Sequence, residues 1–324
     1  MTNIVSAITR QPLRARILLH HLSGSMDAGS AGRLALQQLV PSLPHERVAT
    51  FNADALVDWR ARRPVITLDS WAITEVEAPE IALEKVTDYS GEDILILHGV
   101  EPDLRWDEFS DIVTQIATEA GVETSITMFG LPAATPHTRP PIITQTSSTP
   151  GTLPPQEPDP GVVQFSASIG SYLQSKLGKA GINALGLAVG VPYYVMESDY
   201  PAAAAALISR ISDLTGLELP IGDLEAAAAT MSQKLGAEVN SSEEIETIIH
   251  GLEERVDALP LPEVTAAPTP IPTGEELAAR FESFLRTNAD VETDTPKNDL
   301  MPPPTNSERG RHRGTGPVDG PSQT

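Results

Sequence analysis

The chain has 324 residues, 44 of them Asp or Glu against 22 Lys or Arg, and no cysteine. A net charge of −22 opposes attraction to nucleic acid or to an anionic membrane surface. The missing thiols exclude disulfides, thiolate nucleophiles and thiolate metal sites.

Along the chain, residues 1–13 read as a flexible N-terminus without the basic-then-apolar form of a signal peptide. The apolar run Ile17–Leu22 reads as a buried strand. Ser23-Gly24-Ser25-Met26-Asp27-Ala28-Gly29 then turns the chain into a helix reaching Val40. A Gly-rich, acid-bearing turn between strand and helix is where open α/β sheets place their binding crevice. Val65–Leu68 and Trp71–Val76 flank Asp69-Ser70 as a hairpin, and alternating Ile81–Val86 is a candidate to pair with it.

Ile94–His98 is continuously apolar, as suits a strand covered on both faces. A helix over Trp106–Ala120 follows, closed by Gly121, and then a strand over Thr124–Phe129. Residues 148–161 are rich in Pro, Gly, Ser and Thr and read as a loop excursion. A helix over Ser168–Ala180, a strand over Ala184–Val189 and a helix opened by Pro201 resume the alternation. Repeated βαβ alternation implies an α/β fold with a mostly parallel sheet and helices on both faces.

The α/β region runs over residues 14–220, and residues 221–259 read as an antiparallel helical pair. Asp223 caps its first member, and Ser241 with Glu244 has capping-box spacing for the second. Residues 260–324 form a Pro-rich, acidic tail of disordered composition, with one candidate helix over Gly274–Arg286.

Three strand ends bring polar groups toward one sheet edge. The first carries Ser25, Met26, Asp27 and Gly29; the second His98 and Glu101; the third Pro132, His137, Thr138 and Arg139. If their strands run side by side in one direction, the loops make a common cleft for a ligand or a partner. A His beside a carboxylate can be tuned toward neutral pH, so Asp27, His98, Glu101, His137 and Arg139 are the candidate catalytic set. A structural reading stands beside it, with Asp27 capping its helix and Arg139 paired with Glu101 or Asp27. No phosphate loop, nucleophile elbow or zinc-spaced histidine pair occurs, so no cofactor and no metal are expected.

Taken in order, several segments resemble the bacterial branch of the proteasome assembly chaperone 2 family. They are Met26-Asp27-Ala28-Gly29, Asp58-Trp59-Arg60-Ala61-Arg62-Arg63-Pro64, His98–Trp106, Pro136-His137-Thr138-Arg139-Pro140, Val191-Pro192-Tyr193-Tyr194 and Tyr200-Pro201-Ala202-Ala203. The likeness spans about residues 14–259, with Ser25-Met26 where family members commonly carry an aromatic residue. It implies a phosphorylase/hydrolase-like α/β architecture with a C-terminal helical pair. It also implies self-association, with a trimer among its forms, and action through an unknown protein partner without catalysis. A cytoplasmic location is expected, with no nucleic acid or membrane partner. The alternative is a small-molecule hydrolase or phosphorylase using the strand-end cleft.

Overall fold

The computed structural model describes residues 4–9, 11–154, 156, 161–239 and 243–258. Its strands are β1 (Val5–Ile8), β2 (Ile17–Ser23), β3 (His45–Phe51), β4 (Val65–Asp69), β5 (Ala72–Glu77), β6 (Ile81–Thr87), β7 (Asp93–Val100), β8 (Thr124–Ala133), β9 (Ile143–Ser147) and β10 (Asn183–Pro192). Its helices are α1 (Ala31–Ser42), α2 (Ala53–Leu56), α3 (Trp106–Ala120), α4 (Ile169–Lys179), α5 (Pro201–Thr215), α6 (Leu224–Val239) and α7 (Glu243–Asp257).

Eight strands form one sheet in the order β1-β3-β6-β7-β2-β8-β10-β9. The central four, β7, β2, β8 and β10, are mutually parallel. With β3, reached through two antiparallel pairings, five of the eight strands point one way. The edges β1 and β9 run against their neighbours.

Period-2 alternation divides the core into two layers. Ile17 and Leu19 of β2 pack with Ala35, Leu36 and Leu39 of α1 and with Leu207, Ile208 and Ile211 of α5. Leu18 and Leu22 pack on the other face with Phe109 and Val113 of α3 and Leu173 and Leu177 of α4. Each layer therefore removes a helix stripe and a sheet face from water together, which is the main stabilising term.

Helix ends follow their local chemistry. Ser168 caps α4, its hydroxyl accepting from the Ser171 N–H, and Pro201 opens α5. Gly121 closes α3 at φ +80°, a left-handed C-cap that glycine adopts without steric cost.

The structure departs from the sequence reading at several points. Residues 5–8 of the expected flexible N-terminus form edge strand β1, anchored by fully buried Ile4. The segment Ile81–Val86 does not join the hairpin; as β6 it lies between β3 and β7, where its apolar residues are covered. The hairpin stands alone as a two-stranded sheet, with Ser70 and Trp71 forming the turn at φ +50° and +70°. Strand β9 and the single-turn helix α2 were not foreseen. The Ser241 cap, residues 260–324 and the candidate helix over Gly274–Arg286 fall outside the described residues.

Candidate functional site

Strands β7, β2 and β8 are parallel neighbours, so the loops after them share one sheet edge. The expected common rim is present. The candidate side chains along it, however, turn toward different partners.

Asp27 is a structural clasp. Its Oδ1 accepts from the backbone N–H of Gly32 at 3.0 Å and of Gly130 at 2.8 Å. Its Oδ2 accepts from the Arg33 N–H at 3.1 Å and lies 3.3 Å from His21 Nε2. The carboxylate thus satisfies orphan donors at the start of α1 and ties that helix to β8. Gly29, at φ +64°, sets the turn beside it. A Cβ there would stand 2.7 Å from Tyr200 Cβ, so both backbone conformation and space require glycine.

His21 donates through Nδ1 to the Met128 carbonyl at 2.9 Å. Its Nε2 then faces both Asp27 Oδ2 and, at 3.4 Å, Ser23 Oγ. A nucleophile relay needs the acid and the hydroxyl on opposite ring nitrogens. Here they share one, so this is not relay geometry.

His98 is the register partner of His21 across β2 and β7. Its Nε2 is 3.6 Å from Glu84 Oε1, and Glu84 in turn accepts from Arg47 Nε at 2.5 Å. Burial holds the imidazole below the usual histidine range, against the opposing pull of Glu84. A cavity of about 390 Å³ lies beside this pair, lined by His21, Ser23, Arg33, Leu36, His98 and Val100.

Glu101 is buried and accepts from the Ile169 N–H at 2.6 Å, capping the start of α4. Pro132 lies within β8, paired with Val191 of β10. Ser25 and Met26 are exposed on the turn.

The third loop is latched from two sides. His137 is buried, and its backbone N–H donates to Tyr194 Oη at 2.7 Å. The Tyr194 hydroxyl lies 2.8 Å from His137 Nδ1 and can donate there. Burial lowers the His137 pKa, and burial pushes Tyr194 up to about 12. Arg139 does not pair with Glu101 or Asp27. It makes a two-pronged contact with Asp257 of α7, Nε to Oδ1 at 2.8 Å and Nη2 to Oδ2 at 2.7 Å. Its Nη1 reaches Glu253 at 3.1 Å, and Thr138 donates to the same carboxylate. The guanidinium read as an anion clamp therefore holds carboxylates of its own chain.

The candidates thus serve four separate tasks: the α1 clasp, the His98–Glu84 pair, the α4 cap and the α7 latch. Sequence reasoning missed Glu84, Tyr194, Glu253 and Asp257, which meet their partners through sheet register and long-range packing. It also missed Arg62, which donates to the Ser23 carbonyl at 2.8 Å and pairs with Asp103. The signal for Arg62 was its place in the Asp58–Pro64 segment quoted for the family resemblance.

Asp27, Arg62, His98, Glu101, His137, Arg139 and Tyr194, all within the segments quoted for the family resemblance, supply one side of these contacts. A family model described as PAC2 family matches residues 21–239. The chain belongs to the PAC2 family. Among solved structures it is similar to the Mycobacterium tuberculosis protein of unknown function Rv2714, at 36% identity and TM-score 0.72, covering 76% of this chain and 85% of that one. It is also similar to the M. tuberculosis proteasome-assembly chaperone homologue Rv2125, at 25% identity and TM-score 0.65, covering 72% and 99%. A PAC2 family protein from Streptomyces avermitilis matches at 26% identity and TM-score 0.61, covering 72% and 99%. No curated protein matches the chain. No helix among the described residues of this PAC2 chain is long and apolar enough to cross a membrane.

Proposed function

We propose that this PAC2 protein is a non-catalytic, self-associating interaction module that acts as a chaperone on a protein partner. One observation carries the reading, the β4–β5 hairpin. Register pairs Ile66 with Val76 and Leu68 with Ile73, so a bulge at Thr74 gathers these four side chains on one face. They are 51–63% exposed, and Trp71 at the turn is 99% exposed. An isolated two-stranded hairpin is marginal in water, and apolar side chains so displayed favour burial against another chain. The engagement of Asp27, Glu101 and Arg139 in internal contacts favours this reading over a catalytic cleft.

The partner class follows the likeness to the proteasome-assembly chaperone homologue, and proteasome subunits are the first to test. The purified full chain is mixed with proteasome core subunits of its own organism, and assembly is followed by native mass spectrometry. A stable intermediate containing this chain, with faster core formation, is the expected result. Unchanged assembly with no intermediate would overturn the partner. Sedimentation at micromolar concentration tests self-association; a mass at the 34.5 kDa of one chain would overturn it.

A further inference from the structure

The cavity of about 390 Å³ beside His98 runs along the flank of α1 that faces β2 and β7. Arg33, Gln37 and Pro41 follow one another at four-residue spacing, so they share that flank. The rise of a helix puts Val40 roughly 10 Å from Arg33 along the axis. Helix α1 starts at the strand-end edge and runs back along the sheet, so the two ends of the cavity differ. Near Arg33 stand Ser23 and His98, at the carboxyl ends of β2 and β7. Leu36, Val40 and Pro41 supply apolar walls toward the far end.

The polar end is made of donors. Arg33 directs Nη1 to Gln37 at 2.7 Å and Nη2 to Asp199, which leaves further guanidinium N–H groups uncommitted. Asp199 is 56% exposed, so its bridge to Arg33 is a surface pair of little strength. The Ser23 hydroxyl reaches only His21 Nε2, at 3.4 Å, among the described residues. His98 Nε2 is buried, 3.6 Å from Glu84, and neither ring nitrogen of His98 makes a hydrogen bond among the described residues.

No Asp or Glu among the described residues lines this cavity, although the chain holds 44 acidic residues against 22 basic ones. A donor-lined end opposite an apolar end selects an amphiphilic anion. Asp27 and Asp199 stand behind the donors, in contact with His21 and Arg33. Their charge penalises a dianion more than a monoanion.

We propose that this cavity binds a small monocarboxylate with an apolar body, its carboxylate on Arg33 and the Ser23 hydroxyl and its body between Leu36, Val40 and Val100. The carboxylate accepts from the guanidinium in place of the exposed Asp199, a charge-assisted contact in a more sheltered position. The site binds its ligand and breaks no bond in it. It uses groups other than Asp27, Glu101 and Arg139, so it stands independently of the protein-partner reading above.

The probe is hydrocinnamate, titrated calorimetrically into the full chain beside its neutral amide, hydrocinnamamide, and the dianion phenyl phosphate. The acid should bind with a dissociation constant below about 1 mM, and the amide at least about tenfold more weakly. Arg33→Met keeps the apolar stem of the side chain and should weaken the acid at least about tenfold without changing the amide. Val40→Trp fills the apolar end and should abolish binding of both. Thermal melts establish that each variant is folded, and Arg33→Met decides alone where Val40→Trp is not. No saturable binding of the acid at about 10 mM would overturn the site. Equal binding of acid and amide would overturn the anionic end, and tighter binding of phenyl phosphate would overturn the monocarboxylate class. Wild-type affinity for the acid in Arg33→Met would overturn the placement in this cavity.

Discussion

His20 offers a test of how burial controls the acid stability of this fold. It sits in β2 between Leu18 and Leu22, is 1% exposed, and neither ring nitrogen has a hydrogen-bond partner among the described residues. Burial, with a smaller contribution from neighbouring His21, lowers its pKa to about 3. In the unfolded chain the ring titrates near 6.5. Between these values the unfolded state binds a proton that the folded state refuses, so stability falls as pH falls through 6.5. Integration gives a loss of about 2 kcal/mol at pH 5 and about 3 kcal/mol at pH 4. His20→Leu keeps an apolar side chain of similar size and removes the titration. It also removes two orphaned ring nitrogens, so the variant should be at least as stable as wild type at pH 7. Urea unfolding at pH 7 and pH 5 is the assay. The wild type should lose about 2 kcal/mol more than His20→Leu between the two conditions. Equal losses in both proteins would refute the claim that this ring is held neutral by burial.

Asp27→Ala should destabilise the chain by about 3 kcal/mol in chemical denaturation, since it strips several backbone N–H groups of a charged acceptor. Gly29→Ala should cost about 2 kcal/mol or more, from the left-handed backbone and the clash with Tyr200, and a melting curve reads it directly. Glu101→Ala should speed amide hydrogen exchange at Ile169 and the first turn of α4 while leaving α3 unchanged. Arg139→Ala should speed exchange throughout Glu243–Asp257, and raising the salt concentration should do the same to the wild type, because the latch is exposed and electrostatic.

The layers of the fold were legible because they are written locally. The apolar run Ile17–Leu22, the spacing of Phe109, Val113 and Ile116, and the stop at Gly121 each state their element within a few residues. The shared direction of β7 and β8 was legible from α3 between them, since a parallel pair needs a crossover, whereas the place of β2 beside both stood only as a condition. Strand β1 was missed because four residues carry too little pattern and become a strand only by pairing with β3. Misplacing Ile81–Val86 has the same origin. Alternation establishes a strand but not its neighbour, and the hairpin next to it in sequence is not its partner in space. The strand-end residues were found as a set, but their tasks were not legible. Whether Arg139 faces an empty cleft or Asp257 depends on where α7 lands, 118 residues further along the chain.

The division of labour along the chain then follows from hydrogen-bond capacity. A carboxylate offers about four acceptor positions, and Asp27 directs four contacts inward, to Gly32, Gly130, Arg33 and His21. Arg139 directs Nε and both Nη atoms to Glu253 and Asp257. Groups engaged this fully hold loops in place, and a ligand would have to break internal contacts before gaining its own. The hairpin stands in the opposite condition. Ile66, Leu68, Ile73, Val76 and Trp71 are exposed, and their apolar surface gains by leaving water without displacing anything first. Recognition in this PAC2 protein is therefore expected at the exposed hairpin ahead of the strand-end loops.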